Sequence, residues 1–113
     1  IVDIRVGSPT FGQWEAVRLD DTDRRAVYLS EGLGHGFCAL TDDATLNYLC
    51  STTYNPGAEH TLHPLDPQLA IDWPTESPLL SARDTAAPTL AEAREAGLLP
   101  DYESCRCYTS SLG

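Results

Sequence analysis

The sequence predicts a mainly β domain, an antiparallel sandwich or barrel with one short helix near the C-terminus. Two observations carry that prediction. Residues 1–5, 13–19, 26–30, 35–41 and 45–52 are short runs rich in β-branched, aromatic and other apolar residues. Turn-rich segments separate these runs at intervals typical of all-β domains. Only one stretch carries both a start and a stop signal for a helix. No internal repeat or low-complexity segment interrupts the pattern.

Each element has a local reason. The run Ile1-Val-Asp-Ile-Arg5 leads into Gly7-Ser-Pro-Thr10, a turn. Asp20-Asp-Thr-Asp23, Glu31-Gly-Leu-Gly34 and Asp42-Asp43 punctuate the next runs with residues that suit turn conformations. From Tyr54 the texture changes: Tyr54-Asn-Pro-Gly57 is a turn, and Pro64, Pro67, Pro74 and Pro78 keep the following segment irregular. Residues 69–72 are expected to add a short strand. A helix is expected over about 90–96, where Thr89 and Glu92 make a capping-box pattern and Gly97 stops it. Its small apolar face predicts packing on the outside of the sheet. Residues 105–113 read as a tail beyond a domain over 1–104.

Length and composition bound the function. A chain of 113 residues is one domain at most. Seven basic against seventeen acidic residues, net charge −10, argue against a nucleic-acid or anionic-membrane surface. Local arginines can still hold a phosphate. No apolar run is long enough to span a membrane, and no signal-peptide layout is present. The chain lacks methionine and lysine and opens inside a strand-like run, so it is expected to be a piece of a longer domain. Five strands are also few for closing a barrel. Cys38, Cys50, Cys105 and Cys107 show no scaffold or zinc spacing, so they read as free thiols of a cytoplasmic protein.

The most informative stretch is Glu31-Gly-Leu-Gly-His-Gly-Phe37, which sets a histidine between two glycines. If the turn at Thr41-Asp-Asp-Ala44 joins two strands through a two-residue loop, Phe37 faces Tyr48 and His35 lies on the diagonal. Two groups able to move protons would then share one apolar wall. A phenol with a pKa of about 10 stays protonated at neutral pH and can act as a general acid. The competing reading of His35 is a local β-bulge, and of Tyr48 a core tyrosine tied to backbone. Glu59-His60-Thr-Leu-His63 lacks an established zinc spacing and reads as a polar loop, with Glu59 able to accept hydrogen bonds from a ligand. Arg83 beside Asp84 reads first as a surface ion pair. The alternative gives Arg83 to a phosphate and Asp84 to a histidine, whose tautomer it would fix.

Taken together, these motifs resemble the later half of dTDP-4-dehydrorhamnose 3,5-epimerases. The resemblance is carried by Val2-Asp-Ile-Arg5, Gly7-Ser-Pro-Thr-Phe-Gly12, Glu31 to Phe37, Tyr48-Leu-Cys-Ser51 and Tyr54-Asn-Pro56. Asp66-Pro67, Asp72-Trp-Pro74 and Leu80-Ser-Ala-Arg-Asp84 continue it in the same order, so that it runs from Ile1 to about Pro100. It implies a cupin-type β jelly roll that works as a homodimer, with no metal and no organic cofactor. The implied substrate is a thymidine-diphosphate 4-keto-6-deoxy sugar, inverted beside its ketone. Tyr48 then matches the acid that reprotonates the sugar, and Asp84 the carboxylate partner of the base histidine. His35 matches a substrate contact, Tyr54 the aromatic that stacks on thymine, Glu59 a nucleotide contact and Arg83 a cation near the diphosphate.

In the family the base histidine belongs to an upstream strand and the enolate-stabilising lysine also lies upstream, and this sequence contains neither. His60 and His63 lie in a loop beyond the tyrosine and do not replace them. The expectation is therefore an epimerase portion that is inactive alone. Two alternatives remain at this level: an epimerase of an antibiotic deoxysugar pathway that inverts one carbon, and a non-catalytic jelly-roll module that binds a nucleotide sugar.

Overall fold

Val2, Leu69 and Leu90 are far apart in sequence yet meet as one buried cluster, and the chain folds around that meeting point. The computed structural model covers residues 1–113. Strand β1 (Val2–Asp3) pairs antiparallel with β2 (Leu33–Gly34), in the register Val2 to Gly34 and Asp3 to Leu33. On its other edge the N-terminal run meets residues 13–15. Asp3 N–H donates to Gln13 at 2.9 Å, Gly12 N–H to Asp3 at 2.7 Å and Glu15 N–H to Ile1 at 2.9 Å. Ile4, Phe11, Trp14, Leu62, Ile71 and Leu99 pack around the cluster.

Three α-helices follow: α1 (Ala82–Thr85), α2 (Leu90–Glu95) and α3 (Tyr102–Ser111). Helix α2 starts and stops where its capping residues require. Thr89 and Glu92 close the capping box, with N–H···O distances of 3.2 and 2.8 Å. At the other end Leu98 N–H reaches Ala93 and Gly97 N–H reaches Arg94, while Gly97 takes φ +70°, which makes a Schellman stop. The expected outside position is corrected: Leu90 and Ala93 are each 1% exposed, so α2 contributes to the core. Its N-terminus is also fastened from a distance. The buried Asp66 carboxylate accepts Leu90 N–H through one oxygen and Gln68 N–H, at 2.6 Å, through the other. His63 N–H adds a 2.9 Å bond to the Pro88 carbonyl beside it.

Several expected elements differ. The expected strand over 69–72 is a turn, with Leu69 buried and Ala70 at φ +49°. The C-terminal residues read as a tail are helical, because Asp101 caps Ser104 N–H at 2.9 Å and starts α3. Of the expected β runs, only the first lies in a sheet, and its partner Leu33–Gly34 comes from a segment expected to be a turn. Residues 16–19, 26–30, 35–41 and 45–52 form no ladder, although the turns at Asp20–Asp23 and Asp42–Asp43 form as expected. Asp20 accepts Thr22 and Asp23 N–H at 3.1 and 2.8 Å, and Asp43 takes φ +59° at its turn. Turns are local and close on their own residues, whereas a strand needs a neighbour.

Two quantities measure how few strand neighbours these runs have. The chain makes 36 backbone–backbone hydrogen bonds, where a folded chain of this length makes about 75. Its accessible surface is 8,823 Å², against about 6,100 Å² for a folded monomer of this mass. The excess carries Phe37, Tyr48, Leu49 and Tyr54, which are 66%, 69%, 98% and 74% exposed. No helix is long and apolar enough to cross a membrane.

A buried polar knot anchors the N-terminal sheet. The Asp3 side chain is 6% exposed and accepts Arg5 Nε and Nη2, each at 2.9 Å. The Ser8 and Thr10 hydroxyls reach it at 2.5 Å each. The Arg5 guanidinium, against the opposing cost of burial, and then the two hydroxyls hold this carboxyl well below the usual carboxylate range. A depressed folded value means that the stabilisation is fully present above the unfolded pKa of about 3.9, declines below it and is lost as pH falls through the folded value. Asp3→Asn is expected to lower stability by roughly 3 kcal/mol at pH 7, since it leaves Arg5 unpaired. Urea midpoints should therefore differ at pH 7, begin to draw together below about pH 4, and converge only as pH falls through the depressed folded value, well below about pH 3, where the native carboxylate takes up its proton. Equal midpoints at pH 7 would remove the knot from the stability account.

Candidate functional site

His35 emerges directly from the sheet. Gly34 pairs with Val2, and an added Cβ on Gly34 would lie 3.0 Å from Val2 Cγ1, so the backbones approach closely there. On the other side, an added Cβ on Gly36 would lie 3.5 Å from Trp73 Cη2. The indole is fixed in turn, its Nε1–H donating to the Pro64 carbonyl at 2.8 Å. His35 is thus exposed beside a half-buried Gly34 and an exposed Gly36 that lies near the Trp73 ring. Gly34 thus serves close packing, whereas a side chain at Gly36 would make only ordinary contact with Trp73.

The proposed diagonal of His35 and Tyr48 is not set by a ladder. The turn between them forms, but residues 35–41 and 44–52 exchange no backbone hydrogen bond, so no register places Phe37 opposite Tyr48. Tyr48 and Tyr54 both stand exposed on this segment. Neither hydroxyl is tied to backbone, so the expected alternative of a core tyrosine does not describe Tyr48.

Glu59 follows a single 3₁₀ turn (Pro56–Ala58) that Asn55 caps by accepting Gly57 N–H at 3.2 Å. With His60 it lines a cleft of about 350 Å³, whose other walls include Gly32, Leu33, Leu99 and Pro100. Glu59 and the segment that delivers His35 are therefore brought to one cleft. His63 is spent structurally: its Nδ1 accepts Leu65 N–H at 3.1 Å. A larger cleft of about 550 Å³ lies between Phe11, Leu90 and Arg94 and holds none of the expected site residues.

Arg83 and Asp84 ride on α1. Ser81 caps that helix by accepting Asp84 N–H at 3.0 Å, which fixes the Asp84 backbone in the first turn. The expected surface ion pair is absent, since the Arg83 guanidinium and the Asp84 carboxylate do not pair. Arg83 is exposed and Asp84 half-buried. Both ends of this segment are tied down, through Ser81 at the start and through the Pro88 and Leu90 contacts at its end. Asp66 and Trp73, which do this fastening or its counterpart below His35, had no assigned role in the sequence reading. Their signals were Asp66-Pro67 and Asp72-Trp-Pro74.

Comparison with known proteins gives these residues a context. A family profile for dTDP-4-dehydrorhamnose 3,5-epimerase matches residues 1–92. A dTDP-4-dehydrorhamnose 3-epimerase from Streptomyces niveus is 68% identical over 109 residues, covering 96% of this chain and 53% of the relative. The crystal structure of a Streptomyces bikiniensis 3'-monoepimerase in complex with dTDP-quinovose superposes with a TM-score of 0.93 at 55% identity, covering 97% of this chain and 56% of that one. The Mycobacterium tuberculosis rmlC epimerase superposes with a TM-score of 0.95 at 53% identity, covering 99% and 57%. This chain therefore spans about half the length of the relatives it matches. Sequence, backbone and the order of the motifs agree across that half, and the chain belongs to the dTDP-4-dehydrorhamnose 3,5-epimerase family.

Proposed function

We propose that this chain is the portion of a dTDP-4-keto-6-deoxy sugar epimerase that supplies the proton-donating side of the site. The observation that carries the reading is identity above 50%, over nearly the whole chain, to epimerases of such sugars. In this reading a ketone at C4 acidifies the neighbouring C–H. A base histidine from upstream sequence takes that proton, and the electron pair rests on the ketone oxygen as an enolate, steadied by an upstream lysine. Tyr48 then gives its phenolic proton to carbon on the opposite face, and the C–H bond re-forms inverted. Asp84 holds the base histidine in its tautomer. His35 touches the sugar, Arg83 lies near the diphosphate, Tyr54 stacks on thymine and Glu59 binds the nucleotide. No metal or organic cofactor enters this scheme.

The jelly-roll fold, a homodimer and a cytoplasmic setting belong to the same proposal. Free Cys38, Cys50, Cys105 and Cys107 suit a reducing compartment. The excess surface of the chain exceeds the roughly 1,200–2,000 Å² that a stable interface buries, which supports cover by an upstream half and a second copy. Alone, the chain is expected to be inactive.

One specific observation favours single-carbon inversion as a second reading: the relative at 68% identity is a 3-epimerase. Deuterium uptake from solvent by the ketosugar decides between them. The full-length protein is expected to exchange at C3, with exchange at C5 as well if both carbons are inverted. Exchange at neither carbon, with dTDP still bound, would leave a non-catalytic binding module.

A further inference from the structure

We propose that the C-terminal arm, residues 98–111, is a positioning element that holds the Gly32–Gly34 approach to His35 in place, with Tyr102 and Cys105 as its contact residues. The inference rests on the functional reading above and adds to it an element outside residues 1–92, which are all that the family profile matches.

The arm is stitched to the N-terminal strand by two backbone bonds. Val6 N–H donates to the Pro100 carbonyl at 2.8 Å, and Tyr102 N–H donates to the Val6 carbonyl at 3.0 Å. The Arg5 guanidinium lies 4.9 Å from the centroid of the Tyr102 ring while its nitrogens grip Asp3. Helix α3 is thereby fixed to the polar knot under the sheet.

From that position α3 presses on Gly32. An added Cβ at Gly32 would lie 2.5 Å from Cys105 Sγ and 2.8 Å from Arg5 Cγ, so the bare backbone of Gly32 is what lets the helix in. Gly32 also takes φ +86°, which disfavours any other residue there. Burial pushes the Cys105 thiol up, so it stays protonated and acts as a packing group. Gly32 is followed at once by β2, and β2 by His35, so a shift of α3 passes along three residues to the histidine. The same arm reaches the cleft, which Leu98, Leu99 and Pro100 line together with Glu59 and His60. Both ends of the arm therefore act on groups assigned to the nucleotide sugar.

The test uses the full-length enzyme. Tyr102→Ala removes the ring under Arg5 without touching the cleft, and Tyr102→Phe keeps it. The alanine variant is expected to raise KM for the dTDP-ketosugar about tenfold with kcat within about twofold, and the phenylalanine variant to restore KM. In the wild type, saturating dTDP should slow alkylation of Cys105, followed by peptide mass spectrometry, about threefold. That protection should vanish in Tyr102→Ala. An unchanged KM, or a fall in kcat that tracks a fall in Tm at constant KM, overturns the proposal, as does the absence of protection in the wild type. A wild-type enzyme that neither binds dTDP nor exchanges the sugar proton overturns the functional reading itself. Turnover with an indifferent arm overturns only the arm.

Discussion

Replacing Tyr48 by Phe in the full-length enzyme is expected to leave solvent exchange at the first carbon and to lower inversion by about 10²–10⁴-fold. The two readouts separate because they use opposite faces of the sugar. Exchange needs only that a base take the proton and return one from solvent on the same face. Inversion needs a donor on the other face, and a phenylalanine ring has none to give. Within this half of the protein the substitution is clean: Tyr48 is 69% exposed and its hydroxyl holds no partner in the chain, so its loss leaves no group of this chain unsatisfied. Stability should accordingly stay within about 0.5 kcal/mol of wild type. Inversion that continues at the original rate would take the acid role away from Tyr48.

How legible all this is in the sequence depends on how local the cause is. The capping box at Thr89 and Glu92, the stop at Gly97 and the turn at Asp20 are each closed by residues a few positions apart, and each forms as read. The close approach before His35 shows at Gly34, where a Cβ would crowd Val2, while Gly36 leaves room for one. What the sequence does not announce is contact across distance. Asp66 reaches Leu90 from 24 residues away, Cys105 meets Gly32, and Trp73 lies against Gly36. The β runs fail for a related reason. Val17, Leu19, Phe37 and Leu49 have the right character for strands, yet they are exposed and no segment of this chain pairs with them. Propensity describes a fit to a pleated, half-buried surface, and the surface has to be supplied. The site shares that limit, since His35 and Tyr48 lie on segments that only a ladder could bring into register.

The largest expected effect belongs to a residue that the substrate does not touch. Asp84→Asn in the full-length enzyme should lower exchange and inversion together, by about 10⁴-fold, because a carboxamide can hold the base histidine in the wrong tautomer while keeping the shape of the site. Nothing in the local fold need suffer. Ser81 caps α1 through the Asp84 backbone N–H, which asparagine retains, and the Asp84 carboxylate makes no ion pair whose loss would be felt. A near-normal Tm with both rates lost is therefore the expected signature, and it differs in kind from that of Tyr48→Phe, which loses only inversion. The contrast also tests the division of labour along the chain. If Asp84→Asn spared exchange, the carboxylate would not serve the base, and Arg83 and Asp84 would revert to the surface of a capped turn. If both variants lost exchange alike, the acid and the base would not be separate groups, and the assignment of the proton-donating half to this chain would fail with them.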